Sequence, residues 1–140
     1  MIDPVETVVT FLRSTTLNAT LDGRIVAGRA LYGDVWQLGQ AALTVRPSGG
    51  DPDAYVPVRV ARLEMRCWGP SEQQAYAVYL ELASVAARTG RQGVALTSGD
   101  TALLHQMLEA SGPSLIWDGE VQAWSVVVFY VATVGEHPTS

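Results

Sequence analysis

The period of the apolar positions changes along this chain, and each change marks a predicted element. In "DPVETVVTFLRSTTL", Val5, Val8, Val9 and Leu12 recur at helical spacing. Asp3 stands as cap, Pro4 at the first helical position and Glu6 as a capping-box partner. The pattern predicts a helix over 4–17, held by its apolar stripe because valines and threonines are weak helix formers. Residues 18–40 carry Gly23, Gly28, Gly33 and Gly39 and read as a connector with short extended pieces. "AALTVRP" and "YVPVRVARLEMRCW" then alternate as two strands joined by the polar loop "PSGGDPDA". In the second strand the buried parity slips from Val56, Val58 and Val60 to Leu63, Met65 and Cys67. A β-bulge near Ala61-Arg62 would reconcile the two sets and put Arg59, Arg62, Glu64 and Arg66 on the solvated side.

Helical spacing returns after Gly69-Pro70. Ala75, Val78, Tyr79, Leu82 and Val85 or Ala86 form a stripe between Ser71, a cap, and Gly90, a left-handed terminator. "VALTS" is a short strand. "DTALLHQMLEASGP" has Asp100 as cap, apolar Leu103, Leu104, Met107 and Leu108, and a Gly112-Pro113 stop, which predicts a third, shorter helix. "SLIW", the turn Asp118-Gly119 and "EVQAWSVVVFYVATV" form a hairpin. Its last strand is apolar on both sides and needs cover on both, from its own helices or from another subunit. Residues 1–2 and 135–140 read as frayed ends. The order predicts an α+β fold in one domain, residues 1–140, with an antiparallel sheet and helices packed on one face.

Composition narrows the functional classes. With 48% hydrophobic and 16% charged residues, the chain lies far from the profile of disorder. Its net charge of −5 and the lack of a basic stripe argue against tight binding to a phosphate backbone. A lone cysteine forms no internal disulfide, which fits a reducing compartment. The N-terminus lacks the pattern of a signal peptide, and the longest apolar run, Val126 to Ala132, is too short to span a bilayer, so no membrane partner is expected.

Candidate chemistry is sparse. The glycines of 18–40 do not have the spacing of a phosphate loop. His105 and His137 stand alone, without HxxxH or HExxH, so neither a metal nor another cofactor is expected. Asp51 and Asp53 are too few for a calcium loop. Cys67 shares the apolar parity of its strand and reads as a small buried hydrophobe rather than a nucleophile. Trp36, Trp68, Trp117 and Trp124 sit near strand ends, as packing or interface residues. No enzymatic activity is expected.

The corner "VARLEMRCWGPSEQQAYAVYLELASVA" resembles the strand, Cys-Tyr-Gly, Ser/Thr and Ala-rich helix passage of the tail terminator (tail completion) proteins of long-tailed bacteriophages, with Trp68 in the aromatic place. "DPVETVVTFLRSTTL" before it and "SLIWDGEVQAWSVVVFYVATV" after it match the flanking order, so the resemblance covers residues 3 to about 134. It implies a structural virion protein of the tail or neck, assembled in the host cytoplasm. The implied assembly is a homohexameric ring that caps the tail tube and joins it to the head connector. Its partners would be further copies of itself, the tail-tube protein and a head-completion or connector protein, with DNA only as passing cargo in an acidic lumen.

The residues themselves supply the contacts expected in such a ring. Arg46, Ser48, Asp51, Asp53 and Tyr55 belong to a long polar hairpin tip, a docking element. Trp124, Val126 and Val128 lie on the doubly apolar last strand, near the subunit contact. At the corner, Trp68 is expected to wedge strand against helix while Cys67 faces the core. The alternatives are a small-molecule or effector-binding α+β module with a pocket near His105 and Trp117, and a neighbouring phage neck or head–tail joining protein. A cysteine-dependent enzyme ranks last.

Overall fold

The computed structural model describes residues 3–27, 40–52, 58–96, 99–119 and 122–136. Asp3 caps the first helix as its position predicts, its Oδ1 accepting from the Val5 N–H at 2.9 Å. Helix α1 (Pro4–Leu12) then stops earlier than its sequence suggests, and α2 (Thr16–Thr20) follows as a separate short helix. Local side chains cause the break. Ser14 Oγ and Thr15 Oγ1 each donate at 2.6 Å to the carbonyls of Phe11 and Leu12, a competition with helical bonding that these residues favour. Arg13 bonds the Ile25 carbonyl through Nε and a terminal nitrogen, and Arg24 Nε bonds the Ala41 carbonyl, tying the helices to the first strand.

Strands β1 (Ile25–Ala27), β2 (Ala42–Pro52), β3 (Val58–Gly69), β4 (Gln92–Ala95), β5 (Thr101–Asp118) and β6 (Ala123–Glu136) form one sheet in the order β1-β2-β3-β6-β5-β4. Helix α3 (Glu72–Arg88) connects β3 to β4. The expected antiparallel sheet with helices packed on one face is not what forms. β1 runs parallel to β2, so the sheet is mixed, and it curls into a half-barrel. Geometry requires the curl. At 1.5 Å per residue α1 is roughly 14 Å long, while six strands at 4.8 Å spacing would span roughly 24 Å if flat. Yet α1 is in contact with every strand, so the sheet wraps around it.

One core fills the curl. Val8, Leu12 and Leu17 from the N-terminal helices and Val78, Tyr79 and Leu82 from α3 pack with Leu43, Val45, Leu63, Met65 and Cys67 and with Val126, Val128, Tyr130, Ala132 and Val134. A smaller cluster of Ala42, Trp68 and Ala123 lies on the opposite side of the sheet. Trp68 therefore points away from Cys67 and does not wedge strand against helix. Its indole N–H donates to Thr44 Oγ1 at 3.1 Å instead. The joint is made by Gly69. A Cβ there would stand 2.6 Å from the backbone nitrogen of Ala75 and 3.0 Å from its Cα, so the first turn of α3 rests directly on the strand end.

The register corrects several expectations. β3 pairs with β6 without interruption, so no bulge lies at Ala61-Arg62. The extra residue sits on β2, where the register shifts between Pro47 and Gly50. β2 then continues to Pro52, so Arg46, Ser48 and Asp51 belong to the sheet and not to a free loop. Among the described residues β1 pairs with β2 only as far as Ala27 opposite Val45, and Pro47 and Pro52 of β2 lie beyond that stretch.

The predicted third helix is the first half of β5. Between Leu104, opposite Val134, and Ser114, opposite Val127, β5 advances ten residues while β6 advances seven. The three extra residues are bulges near His105, Ala110 and Gly112. The first converts a two-residue alternation into Ala102, Leu104 and Met107, spacing that imitates a helical stripe. Residues 135–136 continue β6, and 137–140, like residues 1–2 and the connector 28–39, lie outside the described residues. Gly90 does not adopt a left-handed conformation, and α3 ends at Thr89, whose hydroxyl donates to the Val85 carbonyl. Asp118 pairs with Ala123, and among the described residues of that turn the positive φ falls on Gln122.

Gly69→Ala should lower stability by about 1–3 kcal/mol, because the clash is with backbone that cannot rotate aside. Gly93→Ala, where nothing lies within 4 Å of the added carbon, should leave stability almost unchanged. Urea unfolding of both variants checks the contrast.

Candidate functional site

Beyond Met107 the chain of β5 leaves the cover of the helices. Every residue from Leu108 to Trp117 is exposed, though the strand stays paired to β6 as far as Asp118. Four large apolar side chains lie in this stretch: Leu108 at 55% exposure, Leu115 at 43%, Ile116 at 44% and Trp117 at 49%. Leu108 and Ile116 stand opposite Val131 and Ser125, on the outer side of the sheet. Leu115 and Trp117 stand opposite Val126 and Trp124, on the other side. The two indoles pack across the strands with centroids 5.4 Å apart and a 59° tilt. A hairpin that is apolar on both sides at its distal end thus extends from the body of the fold.

Its edge is open as well. β4 pairs only with residues 101–104 of β5, and among the described residues no strand flanks β5 from His105 to Asp118. The bulges and Pro113 guard the first part, since bulged, proline-bearing edges resist pairing with another chain. From Ser114 to Asp118 the register is regular, and nothing of that kind protects it.

The outer side of β3 carries a second constellation. Glu64 is nearly buried there and bonds Arg66 Nε at 2.7 Å and an Arg46 terminal nitrogen at 2.9 Å. Burial alone pushes its carboxyl upward, but the hydrogen bonds and charges of Arg66 and Arg46 outweigh this and hold it below its ordinary value. Arg62 lies over the Phe129 ring at 4.8 Å, and Arg66 lies 6.0 Å from the Trp68 ring. These contacts, with the small Trp68 cluster, cover much of the outer side of β6, where Ser125 and Val127 are buried.

The expected contact residues fare differently. Arg46 is engaged by Glu64, Ser48 lies at the β2 bulge, and Asp51 pairs with Val60 through the ladder. Asp53 and Tyr55 lie outside the described residues. Val126 and Val128 are fully buried under the protein's own helices and present nothing to a partner. Trp124 is half-buried, but through Trp117 it forms part of the distal hairpin. Sequence reasoning missed Leu108, which it placed on a helix, and Leu115 and Ile116. The signal was the unbroken apolar triplet Leu115-Ile116-Trp117, which no alternating strand can bury on one side.

Burial pushes the Cys67 thiol well above its ordinary value, so it holds no reactive thiolate. Tyr79 donates to Glu109 Oε1 at 2.6 Å, and that bond, with burial, pushes its phenol up to about 12. Among the described residues no three His, Cys, Asp or Glu side chains gather to hold a metal, and no helix is long and apolar enough to cross a membrane. No protein-family model matches the chain, and no curated protein matches it.

The Glu64 cluster gives a pH prediction. Because its folded carboxyl ionises below the ordinary value of 4.5, its contribution to stability is complete above about pH 4.5. It is lost as acid titrates through the lowered folded value. Glu64→Gln should therefore be less stable at neutral pH and show a shallower loss on acidification, measured by urea unfolding across acidic pH.

Proposed function

We propose that this protein is a structural subunit that assembles with copies of itself through the distal β5–β6 hairpin, and that the assembly is the capping ring of a phage tail. The observation that carries the reading is the exposed set Leu115, Ile116 and Trp117 on a regular, unguarded strand end. Single exposed apolar residues are ordinary, but a contiguous apolar hairpin end marks an interaction surface. A surface of this kind, set off from the body, suits a head-to-tail contact, and head-to-tail contacts form a ring when the rotation between neighbours closes.

The tail terminator assignment draws on the likeness of the corner and its flanks. In that role the hairpins would link neighbouring subunits, and the net charge of −5 would let DNA pass without adhering. A neck or head–tail joining ring would use the same contact.

Light scattering of the purified chain should give the mass of a closed oligomer that rises with concentration toward six copies. Ile116→Lys should shift the protein to monomer while changing its unfolding free energy by no more than about 0.5 kcal/mol, as expected for a surface position. Added to polymerising tail-tube protein, the wild type should halt tube growth and the variant should not. A wild type that stays monomeric alone and on tubes would refute the ring.

A further inference from the structure

Away from the hairpin end, a cleft of about 590 Å³ opens between the last turns of α3 and the bulged part of β5. Ala83, Ala86 and Ala87 form a low apolar wall along the helix, and Met107 contributes from the strand. Thr89, His105, Gln106 and Glu109 supply its polar groups. The Glu109 carboxylate accepts from Tyr79 and, among the described residues, pairs with no arginine. Tyr130, its neighbour across the ladder, also lines the cleft. Tyr130 is 1% exposed, and its hydroxyl has no hydrogen-bond partner among the described residues.

Electrostatics at this place has one sign. The wall is the C-terminal end of α3, where carbonyls carry partial negative charge, and the unpaired carboxylate stands beside it. Arg88, in the same turn, is folded back onto the Ser84 carbonyl. We propose that the cleft is a binding site for an organic cation, a guanidinium or ammonium group carried on an apolar stem. The stem lies along the alanine wall and Met107, and the charged head meets Glu109. The Tyr130 oxygen accepts one of the remaining N–H groups. The Tyr79 hydroxyl keeps the carboxylate oriented. An anion would face the carboxylate and the helix end together, and a bare divalent ion would find too few oxygen ligands. The site stands whether or not the chain assembles into a ring.

Titration of the full chain with agmatine, followed by the methyl resonances of Ala83, Ala86 and Ala87, tests the proposal. Saturable shifts are expected, and butylurea, of similar shape without the charge, should produce none. Glu109→Gln should weaken binding about tenfold or more, the loss typical when one partner of a charged hydrogen bond is removed. Tyr130→Phe should weaken it about threefold without lowering the melting temperature, since it deletes a buried hydroxyl that has no partner. Ala87→Leu, at an exposed position of the wall, should block the site in a folded protein. A fall in oligomer mass on adding agmatine would assign the natural cation to an arginine of a second copy. An unchanged mass would assign it to a free ligand, and either result keeps the chemistry. Equal response to agmatine and butylurea, undiminished binding by Glu109→Gln, or no saturable shift at all would overturn it.

Discussion

Burial of one continuous apolar surface by the chain's own helices constrains everything else in this structure. The side of β3 and β6 that bears Leu63, Met65, Cys67, Val126, Val128 and Tyr130 is taken up by α1 and α3, so no partner can reach it. Each fully buried aliphatic side chain on that surface contributes roughly 1.5–3 kcal/mol. The sheet curls because a short helix must touch all of it, and the curl leaves the far end of the long β5–β6 pair outside. What remains apolar there is left about half exposed. The pressure toward assembly therefore falls on the hairpin end and not on the centre of the last strand.

Bulges decide how β5 divides into two parts. Near His105 a bulge brings Met107 back toward the core after Leu104, so the strand follows the curve of the barrel. The irregularities near Ala110 and Gly112 separate this curved part from a regular end. The same distortions open space beside α3, which is why the cleft and the hairpin lie on one strand yet remain distinct surfaces. A smooth strand of that length would offer one long edge for indiscriminate pairing.

Helices were the more legible part of the sequence. Asp3, Pro4 and Ser71 act within the first turn they cap, whereas Asp100, read the same way, heads no helix because its segment pairs as β5. The third expected helix failed because bulged β spacing and helical spacing coincide over a stretch as short as Ala102–Leu108. Only pairing with β6, a contact distant in sequence, separates them. The slip in β3 is real as a pattern but has no bulge behind it: β3 stays in register with β6, and Val60 falls on the side of Arg62 and Glu64, where it is exposed. For the site, the sequence showed that β6 is apolar on both sides but not which side the helices would claim. Val126 and Val128 went to the core, while Trp124 stayed with the exposed end. Trp68 illustrates the same ambiguity: its place at a strand end was readable, but the side it faces was not.

Hydrogen–deuterium exchange of the protein at low and high concentration reports directly on assembly through the hairpin. Among the described residues no second strand flanks β5 beyond residue 104, so assembly through the hairpin must change its amides first. Protection gained on assembly should concentrate at Ser114–Asp118 and be accompanied by burial of the Trp117 indole. Protection that leaves this stretch unchanged and appears instead on β2 or α3 would contradict assembly through the hairpin.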